Sequence, residues 1–129
     1  MPRRYLTSHK VNGANEALTV EALDEAGPGG ASHHYGIGGF IRPNSEGTDV
    51  ETYLNVHFQN GAIGEVGTNG VTHEALLAIL IDRLQGFQSG KFACRENALA
   101  LTKLQEAQMW LKSRTEARLA RGVEGTLKV

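Results

Sequence analysis

The chain has 129 residues, enough for one compact domain and short of what two would need. It carries 13 basic and 14 acidic side chains, a formal net charge of −1, which argues against a protein built to coat duplex nucleic acid or an anionic membrane. One cysteine, Cys94, leaves no intrachain disulfide framework and suits a reducing compartment.

The opening "MPRRYLTSHK" has no apolar run behind its arginines and does not read as a secretory signal; Met1 to Lys10 is assigned no element. Up to about residue 70 the chain is rich in glycine and turn residues. In "ALTVEAL", Leu18, Val20 and Ala22 fall on one side of a strand. In "TYLNVHF", Leu54, Val56 and Phe58 line one face, with Asn55 and His57 on the other. This period of two marks half-buried strands. "RPNSEGTD", between Ile41 and Val50, reads as a β-hairpin loop with Pro43 and Gly47 as turn residues. "FQNGAIGEVGTNGVT" (Phe58 to Thr72) is a glycine-rich connector, read either as a tight sheet-to-helix turn or as a set of backbone donors for a ligand.

Beyond residue 70 the period changes. Thr72 is a candidate N-cap, and "THEALLAILIDRLQGF" places Leu76, Leu77, Leu80 and Leu84 at helical spacing. "QSG" (Gln88 to Gly90) interrupts it. A longer helical pattern runs from about Phe92 to Arg121, with Leu101, Leu104 and Leu111 on one stripe and Gly122 as its stop. The longest apolar run, "ALLAILI", is too short to span a bilayer. These elements predict an α+β fold in a single domain, 1–129. It has a small antiparallel sheet in about 1–70, a long antiparallel αα-hairpin in about 71–122 and a tail in 123–129.

No catalytic constellation is visible. The histidines lack metal-ligand spacing: His33 and His34 are adjacent, His57 alternates with apolar residues and His73 opens a helix, so no metal and no cofactor is expected. "GIGGF" (Gly36 to Phe40) precedes no helix and is no dinucleotide fingerprint. The Walker and GxSxG patterns do not occur, and Cys94 has no obvious base.

Arg114, Arg118 and Arg121 recur at spacings of four and three, which on a helix stacks three guanidinium groups on one face. One reading is that they complement the negative end of the helix dipole. The other is an anion site, since arginine is a planar, multidentate fork for phosphate oxygens. Lys103 and Lys112 have acids at helical spacing, Glu106 and Glu116, whereas Arg114 and Arg118 have no acid three or four residues away in either direction. Around the turn, "GFQSGKFACRENA" carries Phe87, Phe92, Arg95 and Asn97. The phenylalanines read as core or as ligand platform. Asn97 falls on the stripe of Leu101 and Leu104, where it serves either as a local cap or as a partner for a base edge.

The segments "FQNG", "FACRENA" and "RGVEGT" together resemble the phage-encoded Thoeris anti-defense 1 family, over roughly Thr19 to Thr126. That family shares a helical hairpin with the sponge family that blocks CBASS cyclic-oligonucleotide immunity. The resemblance implies a non-enzymatic sponge acting in the cytoplasm of the infected bacterial host. It would sequester a cyclic ADP-ribose isomer (glycocyclic ADP-ribose) made by a TIR-domain enzyme, and so block Thoeris signalling. It implies that Phe87 stacks on adenine, that Asn97 hydrogen-bonds a polar edge, and that Arg114 and Arg118 hold the pyrophosphate. Arg121 and Arg95 are secondary candidates. Some members form hexamers, as trimers of dimers, with a second pocket for cyclic trinucleotides, so cyclic di- and trinucleotides are further candidate ligands. The segment Gly36 to Tyr53 is longer than the family pattern.

Asn97 and Arg114 are 17 residues apart, or about 26 Å along a helix at 1.5 Å per residue. One compact nucleotide cannot touch both in one chain. An isologous homodimer would bring the turn end of one hairpin to the arginine end of its partner. The competing readings are a structural or regulatory helical-hairpin protein without a nucleotide ligand, and an enzyme cleaving cyclic nucleotides, which the missing base and metal motifs disfavour.

Overall fold

Four strands form one antiparallel sheet in the order β1-β2-β3-β4, each bonded to its neighbours in sequence. They are β1 (Arg4–Leu6), β2 (Thr19–Ala22), β3 (His34–Pro43) and β4 (Asp49–His57) in a computed structural model that describes residues 4–129. The α+β class read from the sequence is observed. The chain divides into two compact units, Met1–Asn60 and Gly61–Val129. The division falls ahead of the boundary expected near residue 70, because the glycine-rich connector belongs with the helices.

In the first unit, β1 lies within the N-terminal ten residues to which the sequence assigned no element; Arg4, Tyr5 and Leu6 pair with Ala22, Glu21 and Val20. Leu18 is not in the neighbouring strand. It is the C-cap of a five-residue helix, α1 (Gly13–Ala17), whose N-cap Asn12 accepts from the Asn15 N–H at 3.0 Å. The β3–β4 turn forms within the expected stretch but is shorter, 44–48: Pro43, expected as a turn residue, ends β3 paired with Asp49, while Gly47 lies in the turn. The Asn44 side-chain oxygen accepts from the N–H groups of Glu46 (2.9 Å) and Thr48 (3.0 Å), the local bonding that makes asparagine a turn residue.

The "GIGGF" glycines have a packing reason. The Tyr53 ring on β4 lies across Gly36 and Gly38 of β3, and a Cβ on Gly36 would overlap the phenol. Between Ile37 and Phe40 the register shifts, with Gly39 at φ +87°. This is a glycine-assisted bulge of the kind that bends a strand. His34 and His57 are direct cross-strand partners, and their rings stack 4.0 Å apart.

The Asp24 carboxylate accepts from the backbone N–H groups of His33 (3.0 Å) and His34 (3.1 Å) at the start of β3. Desolvation opposes its ionisation, but these two hydrogen bonds and the charge of His33 outweigh it and hold the Asp24 pKa below its ordinary value.

In the second unit a one-turn helix, α2 (Ile63–Val66), precedes α3 (His73–Gln88) and α4 (Arg95–Arg121). Thr72 caps α3 as expected, its hydroxyl oxygen accepting from the Ala75 N–H at 3.1 Å. The second helix starts at Arg95 rather than near Phe92, since Cys94 is its N-cap and its Sγ accepts from the Asn97 N–H at 3.4 Å. The Cys94 N–H in turn donates to Oε1 of Gln88, 3.0 Å away at the end of α3.

α3 packs on α4. On α3 the less exposed positions are Glu74, Leu76, Leu77, Ile81, Leu84, Phe87 and Gln88. On α4 they are Asn97, Leu101, Leu104, Gln108, Leu111, Thr115 and Arg118. The α4 positions repeat at spacings of four and three, a seam that stays on one side of the helix for its whole length. Leu80, expected on the α3 stripe, is 46% exposed, and Ile81 is buried in its place. α4 ends at Gly122, whose φ of +72° is the left-handed conformation that a glycine adopts without a Cβ penalty. From there the Val123 N–H returns to the Arg118 carbonyl at 3.1 Å.

Two outcomes test these assignments. Gly36→Val should lower stability by about 1–3 kcal/mol in urea unfolding, through overpacking against Tyr53. Asp24 has a lowered folded-state pKa, so its stabilisation is present above the unfolded carboxylate value and disappears as pH falls through the folded one. Asp24→Asn should therefore be less stable than the parent at neutral pH, with the two unfolding curves converging as pH falls below the ordinary carboxylate range.

Candidate ligand-binding site

The candidate residues fall into two clusters at opposite ends of α4. At the turn end, Phe87 is half-buried in the last turn of α3, and Phe92 is 64% exposed in the connection that follows. Their rings meet edge to face, 6.1 Å between centroids and at 83°. Each has a cation beside it. The Arg83 guanidinium lies 4.8 Å from the Phe87 centroid and the Lys91 ammonium 5.8 Å from that of Phe92. Such contacts contribute roughly 0.5–1 kcal/mol at exposed positions. They also concentrate positive charge around flat π surfaces, a chemistry suited to a base carrying phosphates.

Asn97 lies half-buried in the first turn of α4, on the seam, its side-chain N–H group 3.5 Å from the Phe92 carbonyl. That contact is at the outer limit of a hydrogen bond, so the amide leans toward the turn without being tied to it. Arg95, the first residue of α4, is exposed. A cation there opposes the positive end of the helix dipole, so helix stability does not account for it.

At the other end the three arginines separate into different environments. Arg114 is exposed. Arg118 is buried at 6% exposure, with tail residues as its partners. One of its terminal nitrogens donates to the Lys128 carbonyl. The other donates to the carbonyls of Val123 (2.9 Å) and Thr126 (3.0 Å). Its Nε lies 3.6 Å from Oε1 of Glu124. Arg121 is exposed and donates to the Val129 carbonyl.

The shared guanidinium face expected from spacing is thus divided between seam, solvent and tail. The arginine that lacks an acid at helical spacing finds Glu124 because the chain reverses at Gly122, where helical spacing no longer governs which residues meet. Arg83, not a candidate from the sequence, stands beside Phe87, four residues before it on the same helix.

Two concavities lie elsewhere. One of about 540 Å³ in the first unit is lined by residues that include Arg4, Asp24, Ser32 and Tyr35. Another of about 340 Å³ lies along α4, lined by Gln105, Gln108, Met109, Lys112, Ser113 and Glu116. Neither includes Phe87, Asn97, Arg114 or Arg118. No group of three or more His, Cys, Asp or Glu able to hold a metal ion occurs among the described residues. No helix of the described residues is long and apolar enough to cross a membrane.

An α+β protein with a small antiparallel sheet followed by two packed helices is the class these elements define. Comparison with known proteins is more specific. Residues 51–116, just over half the chain, match the family model "Acb2/Tad1, hairpin domain". Over 97 residues the chain is 52% identical to Thoeris anti-defense 1 of Bacillus phage SBSphiJ7, covering 72% of this chain and 66% of the relative. The match thus spans just under two thirds of that relative's length. The chain belongs to the Acb2/Tad1 family.

The different settings of the arginines predict different costs. Arg118→Ala should destabilise the fold by about 1–3 kcal/mol, since it removes a charged donor group and leaves its carbonyl acceptors and Glu124 without it. Arg114→Ala, on the surface, should change stability by no more than about 0.5 kcal/mol. Thermal unfolding of the two variants beside the parent checks both.

Proposed function

We propose that this protein is a phage anti-defense sponge that binds a cyclic ADP-ribose isomer without turning it over. The observation that carries the reading is its 52% identity to a protein named Thoeris anti-defense 1. The geometry is compatible with it. α3 and α4, read as an antiparallel hairpin, would present the Phe87 ring for stacking on adenine, with Asn97 beside it for a polar edge. Arg114, and Arg118 in a rearranged setting, would hold the pyrophosphate. Arg95 and Arg121 stand near the two clusters as additional cations. Cyclic di- and trinucleotides are further candidate ligands. The structure offers no reading of where a trinucleotide would sit.

The site would be shared between two chains. Asn97 and Arg114 lie on one continuous helix of 27 residues, about 26 Å apart at 1.5 Å per residue. An isologous homodimer in which each turn end faces its partner's arginine end would build two identical sites. Large apolar side chains exposed on these helices support a covered face: Ile79 at 63%, Met109 at 53% and Trp110 at 62%. Trp and Met are enriched at interface cores.

The test is retention. Protein incubated with cyclic ADP-ribose isomers, filtered and then heat-denatured should release the nucleotide unaltered. Altered product would point to an enzyme, and no retained nucleotide would sink the sponge. Arg114→Ala should weaken retention about tenfold or more, the scale of one lost charge-assisted hydrogen bond. Asn97→Trp should abolish it by filling the space over the turn. Mixing these two variants should restore part of the binding if sites are shared, because a mixed dimer can collect both lesions in one site. A site contained in one chain would show no recovery.

A further inference from the structure

Arg118 is assigned to a phosphate by resemblance, yet oxygen atoms of the C-terminal tail surround its terminal nitrogens. Carbonyls of Val123, Thr126 and Lys128 accept from its two terminal nitrogens, and a Glu124 carboxylate oxygen lies 3.6 Å from its Nε. The guanidinium has five N–H donors in a fixed fork and no acceptor; the tail carbonyls engage its two terminal nitrogens, which a phosphate would also use, while Nε is buried without a hydrogen-bond partner among the described residues. A buried cation left without partners is costly, and the tail supplies them at the terminal nitrogens.

The two parts of the tail are held differently. Val123 is buried, and its N–H bonds to the Arg118 carbonyl as part of the α4 cap. The Gly125 carbonyl accepts from the Gly64 N–H at 3.4 Å. Beyond Gly125, whose φ is +82°, the remaining residues are exposed and are stitched mainly through Thr126. Its N–H and hydroxyl both donate to the Val123 carbonyl, and its hydroxyl oxygen accepts from the Lys128 N–H at 3.2 Å.

We propose that residues Thr126 to Lys128 are a latch on Arg118, and that phosphate oxygens gain the guanidinium by displacing the Thr126 and Lys128 carbonyls. The exchange rests on the sponge reading for its ligand; the latch stands on the contacts of Arg118 alone. Val123 and the α4 cap stay in place while the distal tail peels from Gly125. Binding and tail docking then compete for one side chain.

The test uses the full chain in two arms. In the first, amide hydrogen exchange at Thr126 and Lys128 is followed by NMR without ligand. Arg118→Gln should speed exchange at both about tenfold while Leu101 and Leu104 remain protected. Unchanged tail exchange in a folded Arg118→Gln overturns the latch. In the second arm, cyclic ADP-ribose is titrated calorimetrically into the parent, Thr126→Val and Thr126→Pro. Neither substitution alters charge or the Arg118 side chain: Thr126→Val removes the hydroxyl's bonds to Val123 and Lys128, and Thr126→Pro removes the N–H bond as well. The variants should bind several-fold tighter, with Thr126→Pro the tighter, and saturation of the parent should speed exchange at Thr126 and Lys128. Equal or weaker binding by both variants, or tail amides slowed by ligand, overturns the competition. If neither parent nor variants bind, the sponge reading fails and the exchange with it, while the first arm still decides whether Arg118 holds the tail.

Discussion

The length of α4 is the constraint on which the second unit depends. Its seam repeats at spacings of four and three from Asn97 to Arg118; α3, with 16 residues, packs on α4, and its first turn meets the seam at Gln108. A helix of 27 residues extends about 40 Å at 1.5 Å per residue, and it cannot fold back to bring its ends together. The aromatic and cationic cluster at one end and the arginines at the other are therefore fixed apart within one chain. A ligand needing both must find the second on another molecule, and exposed Trp110 and Met109 lie along the helix between them.

Within that frame, the polar seam positions mark where the two ends do more than pack. Asn97 sits at the first, Gln108 near the middle, where its side-chain N–H group reaches the Glu74 carbonyl at 3.5 Å, and Arg118 at the last. Arg118 is the demanding one, because a buried guanidinium needs acceptors for its donors. The reversal at Gly122 lays three tail carbonyls over its terminal nitrogens, while its Nε is buried with no hydrogen bond among the described residues, 3.6 Å from a Glu124 oxygen. Arg114, one helical turn before it, has no such obligation and is exposed.

The first unit follows a simpler logic. Consecutive antiparallel pairing needs only short connections, and local side-chain bonds close them: Asn44 at the β3–β4 turn and Asp24 at the entry to β3. The Tyr53 ring over Gly36 and Gly38 shows why a strand carries glycines that otherwise weaken it. Their sequence context already excluded a dinucleotide fingerprint, and the ring across them supplies the reason for Gly36 and Gly38. The same applies to His34 and His57, whose stacking depends on register, a property of two strands that neither strand's sequence displays alone.

By itself the sequence determined what local chemistry decides: the α+β class, the β3–β4 turn, the Thr72 cap, the two helical patterns and the stop at Gly122. It also carried the motifs that placed the chain in its family, since shared residue strings are legible without coordinates. Only the tertiary structure decided the placement of the arginines, the start of α4 at Arg95 and the strand at Arg4. Helical spacing specifies neighbours within a helix, but Glu124, Thr126 and Lys128 reach Arg118 after the chain has reversed. That contact arises from how a buried cation is satisfied, a requirement that exists only once the seam has closed around it.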